Sequence, residues 1–134
     1  MLYPMAAIVL LTLIIALFTI SVRFASVRQG DVKARYFKLM QGQEVPELVA
    51  KTSRSFNNQF EVPILFYTVA TLYIALDLES TLALTLAWGF VGLRVVHAFI
   101  HLTYNHVLHR LLAFVGAFAC VIGLWINLLL QYQA

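Results

Sequence analysis

Arg54, Asn58 and Glu61 stand at i, i+4 and i+7 within the stretch Lys51-Thr-Ser-Arg-Ser-Phe-Asn-Asn-Gln-Phe-Glu-Val-Pro63. On one α-helix these positions share a face. A cation, an amide and a carboxylate in one column suit a zwitterionic, peptide-like ligand. The guanidinium takes a carboxylate with a fork of donors, the amide reads a peptide group, and the carboxylate takes an ammonium. The plainer reading is an intrahelical Arg54–Glu61 bridge that neutralises a helix end. Pro63 follows closely, removes a backbone donor and predicts a kink.

A second group is Arg94, His97 and His101, at i, i+3 and i+7 in a later apolar run. An arginine that deep in such a run needs an inward-facing partner. Glu61, the only carboxylate inside the apolar runs, is the natural one, and a structural Arg94–Glu61 ion pair with satisfied histidines is the plain alternative to ligand binding. His97 and His101 also have the i, i+4 spacing of a metal-binding pair. No carboxylate or cysteine joins them at a recognised spacing, and Arg94 would repel a cation, so no metal is expected. The third feature is Arg110. It is either an interfacial snorkelling residue or a cation that stabilises a thiolate by lowering a thiol's pKa.

These groups must be positioned by hydrophobic helices. Of 134 residues, 62% are hydrophobic and 11% charged, too few charges to cover a soluble domain of this size. The run from Leu2 to Val22 carries no charge and is long enough to cross a hydrocarbon core. Four spans are predicted, over roughly residues 3–23, 53–76, 82–103 and 107–130, in a single domain. The acidic turn Asp77-Leu-Glu79-Ser80 and the connection around Tyr104-Asn-His106 are short, which forces antiparallel neighbours and an all-α, up-down-up-down bundle.

Charge orients the bundle. All nine Lys and Arg residues belong to the first connection, the third connection or their flanks. The positive-inside rule then places both connections, and the polar groups, on the cytosolic side with both termini outside. The net charge of +3 is modest, and Asp31, Glu44 and Glu47 are mixed among the cations, which argues against nucleic acid. With one cysteine, Cys120, no internal disulfide can form, and its apolar surroundings make it a packing residue.

The combination resembles the membrane-associated proteins in eicosanoid and glutathione metabolism, the MAPEG family. The likeness covers length, four spans, a long first connection and a short second one. Its sharpest point is the family's Arg-x-x-x-Asn-x-x-Glu, matched by Arg54, Asn58 and Glu61. The prostaglandin-forming members carry Arg-x-x-His-x-x-x-Tyr in the third helix; Arg94, His97 and His101 are similar, with His101 in the tyrosine's place. Lys33 is matched to a basic residue after the first span that helps bind glutathione, and Arg110 to the arginine that opens the fourth helix. Asn57 stands where some members have a second arginine, and Leu111 where prostaglandin-forming members have a serine.

The resemblance implies a homotrimer in a membrane, expected to be a bacterial inner membrane. Glutathione would lie between subunits near the cytosolic face, with a hydrophobic small-molecule substrate arriving through the lipid. Lys33, Arg54, Asn58, Glu61, Arg94, His97 and His101 are then the expected glutathione-binding residues and Arg110 the catalytic one. The implied activity is a glutathione-dependent transferase or peroxidase acting on hydrophobic electrophiles. Two other readings stay open: a non-catalytic lipid-binding or scaffold protein of the same fold, and a small proton-coupled exporter using Glu61.

Overall fold

The computed structural model describes residues 1–133 and is all-helical over its elements. Helix α1 runs Leu2–Arg28, α2 Glu47–Asn57, α3 Val62–Ala75, α4 Thr81–Leu102 and α5 Val107–Gln133. Short 3-10 turns occupy Ala34–Lys38 and Asn58–Phe60. Helices α1, α4 and α5 are each long and apolar enough to cross a membrane. At 27 residues, α1 and α5 are each about 40 Å long, more than a hydrocarbon core needs. With α2 and α3 as the two halves of the remaining leg, the chain is a four-helix membrane bundle.

Hydrogen bonds fix the up-and-down order. At one end Arg23 Nη2 donates to Ser53 Oγ at 3.0 Å, and Lys51 Nζ donates to the Thr103 carbonyl at 3.2 Å. At the other, Gln131 Nε2 donates to Ser80 Oγ at 3.1 Å. The Ser80 hydroxyl also accepts from the Ala83 amide, capping α4.

The helices meet along stripes three or four residues apart. On α4 the buried stripe runs Ala83, Ala87, Phe90, Arg94, His97 and His101. It is apolar in its first half and ionisable in its second, so the register that packs the core also turns the polar groups inward. On α5 the stripe is Ala113, Ala117, Val121, Leu124 and Leu128. Lipid tails are as apolar as leucine, so close packing rather than water exclusion holds such helices together. Small residues allow that closeness: a Cβ at Gly116 would lie 3.1 Å from Leu93 Cδ1, and one at Gly123 3.3 Å from Leu86 Cδ1. Phe66 and Phe90 stack at 4.4 Å in the core, and Cys120 packs its sulfur beside Gly89.

The second leg departs from the single kinked helix expected over 53–76. It breaks between Asn57 and Val62, where Glu61 adopts φ −94° and ψ −99°. Pro63 lies at the start of α3, where its missing amide is tolerated, but it cannot continue a ladder begun in α2. The expected kink is therefore a full interruption of the helix.

Candidate functional site

That interruption forms one wall of a cavity of about 450 Å³. Arg54, Asn57, Asn58 and Glu61 come from the end of α2 and the break, His97 and His101 from α4, and Val107, Arg110, Leu111 and Phe114 from α5. Three legs thus converge on one space. Each contributes a different chemistry: α2 an amide-rich rim with a cation and a carboxylate, α4 two imidazoles, and α5 a second cation above an apolar strip.

The break needs a donor, because an interrupted helix leaves carbonyls without intrahelical partners. In a continuous helix the Asn58 carbonyl would accept from the Val62 amide. Here Arg94 Nη2 donates to it at 2.7 Å. Arg94 is fully buried, and its Nε and Nη1 have no partner among the described residues. Its side chain holds the break in place from behind the cavity wall and does not line the cavity. The expected Arg94–Glu61 pair is therefore corrected: the guanidinium goes to a backbone carbonyl, because the broken helix offers an acceptor closer at hand.

The single-helix column of Arg54, Asn58 and Glu61 is corrected in the same way. Asn58 sits in the 3-10 turn, and its Nδ2 donates to the Arg54 carbonyl at 3.1 Å. All three residues still line the cavity, brought together by the turn instead of by α-helical spacing. The Arg54–Glu61 bridge does not form. The ion pairs among the described residues are Lys51–Glu47 at 2.7 Å and the Met1 amine with Glu79 at 2.6 Å. Arg54, Glu61 and Arg110 thus keep their charges unneutralised by one another.

His97 and His101 are 4% and 2% exposed, and the Nδ1 atom of each is buried without a hydrogen-bond partner. Both imidazoles line the cavity, while these two Nδ1 atoms are themselves out of solvent's reach and form no hydrogen bond among the described residues. The described residues hold no group of three or more metal-ligating side chains. Arg110 is half-buried, and its Nη1 donates to Asn105 Oδ1 at 2.7 Å.

Lys33 lies elsewhere. It is exposed, its amide donates to Gln43 Oε1 at 3.0 Å, and its neighbours Arg35, Tyr36 and Lys38 share with it a separate cavity in the first connection. Sequence reasoning missed the apolar wall of Val107 and Phe114 and the buried Gln59, whose Nε2 donates to the Ser55 carbonyl at 3.1 Å. Only the position of Val107 and Phe114, one turn before and one turn after Arg110, hinted at the first two.

No match was found among curated proteins or among solved structures. The profile of the MAPEG family matches residues 1–130 of the 134, nearly the whole chain. A four-helix membrane bundle is the architecture of that family, and this chain belongs to it.

Proposed function

We propose that the protein binds glutathione, or a closely related anionic thiol peptide, and uses it on hydrophobic electrophiles by conjugation or peroxide reduction. The observation that carries this reading is the make-up of one cavity. Among the described residues, two guanidiniums without carboxylate partners, a carboxylate without a cation partner and the imidazoles of His97 and His101 line one space with Val107, Leu111 and Phe114. Such a ligand needs cations for its carboxylates, a carboxylate for its ammonium and amide-type partners for its peptide groups. Arg54 and Arg110 supply the first, Glu61 the second, and Asn57 and Asn58 the third. When bound, the ligand supplies a sulfur nucleophile. Arg110 is the cation that favours its charged form at neutral pH. The apolar strip on α5 holds the greasy second substrate, which enters from the lipid.

MAPEG members are generally trimers, and the cavity is rimmed by the exposed residues Arg54, Asn57, Glu61 and Leu111. In this reading an adjacent copy covers the site, and Lys33 contributes from that copy. The basic end of the bundle faces the cytosol, with both termini outside, and the membrane is a bacterial inner membrane. Arg94 acts at one remove, by holding the backbone that carries Asn58 and Glu61.

The test is thermal protection of detergent-purified protein by glutathione. Arg54→Ala and Glu61→Ala are each expected to abolish it while leaving the ligand-free midpoint nearly unchanged, since both side chains are exposed. Protection that survives in both variants would show that the ligand lies elsewhere. Turnover of a generic electrophile by the wild type separates an enzyme from a lipid-binding relative of the same fold.

A further inference from the structure

We propose that Asn105 is a positioning residue for this cavity: its side-chain carbonyl holds the Arg110 guanidinium in the wall without cancelling the charge. The inference rests on the thiol-binding reading above and adds a residue to it.

Three observations carry it. First, Arg110 Nη1 donates to Asn105 Oδ1 at 2.7 Å, and among the described residues no carboxylate lies within ion-pair distance of Arg110. A carboxylate there would orient the guanidinium equally well but would compete with any anion in the cavity. A neutral amide orients it and leaves its charge available.

Second, Arg110 lies in the first turn of α5, where the helix dipole presents positive charge and gives a cation no support. Its orientation therefore depends on a local acceptor.

Third, the backbone at Asn105 is built to place that acceptor. Its φ is +51°, in the left-handed region that asparagine and glycine tolerate best. Its amide closes α4 by donating to the Ile100 carbonyl at 2.8 Å. Glycine would meet the backbone requirement with less strain but has no side chain to offer. Among the described residues three non-glycines have positive φ, Met40, Asp77 and Asn105, and of these only Asn105 bonds a residue of this cavity.

Two substitutions separate the backbone role from the side-chain role. Asn105→Gly keeps the left-handed turn and removes the acceptor. Asn105→Asp keeps shape and hydrogen bond but places a negative charge on Arg110. Two readouts are needed: the nitrogen-15 side-chain signal of Arg110, which sharpens when rotation of its guanidinium is slowed, and the ultraviolet thiolate band that appears on mixing with glutathione. The expected order for guanidinium ordering is Asn and Asp alike, with Gly lost. For the thiolate band it is Asn highest, Gly lower by roughly tenfold, as for loss of one charged hydrogen bond, and Asp lowest.

Unchanged Arg110 ordering in Asn105→Gly would overturn the proposal, as would an Asp variant whose thiolate band equals the wild type's. A wild type that orders Arg110 through Asn105 but shows no thiolate band would instead overturn the thiol reading of the cavity. The nitrogen-15 comparison decides the positioning role in that case too.

Discussion

Replacing Arg94 tests how the broken helix is held. Its Nη2 makes one bond, to the Asn58 carbonyl at 2.7 Å, and a hydrogen bond from a charged donor contributes about 1.5–3 kcal/mol. Against this, Nε and Nη1 are buried with no partner among the described residues, and each such group costs about 1–3 kcal/mol. The substitution also leaves the Asn58 carbonyl without its donor, so the lost bond and that acceptor together oppose the two removed donors, and the two sides are of similar size. Arg94→Met keeps most of the volume and removes the bond and both donors, so the variant is expected within about 1.5 kcal/mol of the wild type, as for other volume-conserving changes. Arg94→Ala adds a cavity in the core and is expected to cost about 2–5 kcal/mol beyond that.

Both variants free the Asn58 carbonyl and loosen the turn that carries Asn58 and Glu61. Both are therefore expected to lose protection by glutathione, the Met variant without losing stability. Reversible unfolding in mixed detergent micelles measures the first effect, and thermal shift with glutathione the second. A Met variant as unstable as the Ala variant would refute the balance, because the bond to Asn58 would then outweigh the two unpaired donors. A Met variant that keeps full protection would show that the break does not depend on Arg94.

At the opposite end of the bundle, Tyr73 donates to the Leu124 carbonyl at 2.9 Å and accepts from Asn127 Nδ2 at 2.7 Å. Interhelical hydrogen bonds in membranes average about 0.6 kcal/mol and reach about 1.7, so Tyr73→Phe is expected to cost roughly 1–3 kcal/mol in micelle unfolding for its two bonds. It should leave glutathione protection intact; loss of protection would tie this end of the bundle to the site. Gly116→Ala is expected to be nearly neutral in the same unfolding measurement. Its new methyl meets only the flexible end of Leu93, and the gain in helix propensity is about 1 kcal/mol. Gly116→Ile should cost roughly 1–3 kcal/mol by forcing α4 and α5 apart; wild-type stability there would contradict close packing of the pair.

The apolar runs alone were enough to read an all-helical membrane bundle, because a backbone in lipid must satisfy its own hydrogen bonds and helices are the economical way to do it. Short connections then dictated antiparallel legs. The three-or-four spacing of Arg94, His97 and His101 was equally legible, since it coincides with the stripe that packs α4. The motif residues were sufficient to recognise the family.

Partner choice was not legible. The sequence suggested that Arg54, Asn58 and Glu61 share a helical face and that Arg94 meets Glu61. Folding instead ends the α-helix at Asn57, turns Asn58 back onto the Arg54 carbonyl and gives Arg94 a backbone acceptor. Spacing rules assume an unbroken helix, and Pro63 announces a disturbance without stating its size. Likewise, nothing local to Arg110 tells whether it snorkels or faces a cavity; that depends on the Asn105 turn and on the packing of α4 against α5. Patterns along a chain determine which face of each helix is buried. Which atoms meet there is decided only when three separately encoded legs pack together, because a hydrogen bond depends on tenths of an ångström that no residue spacing specifies.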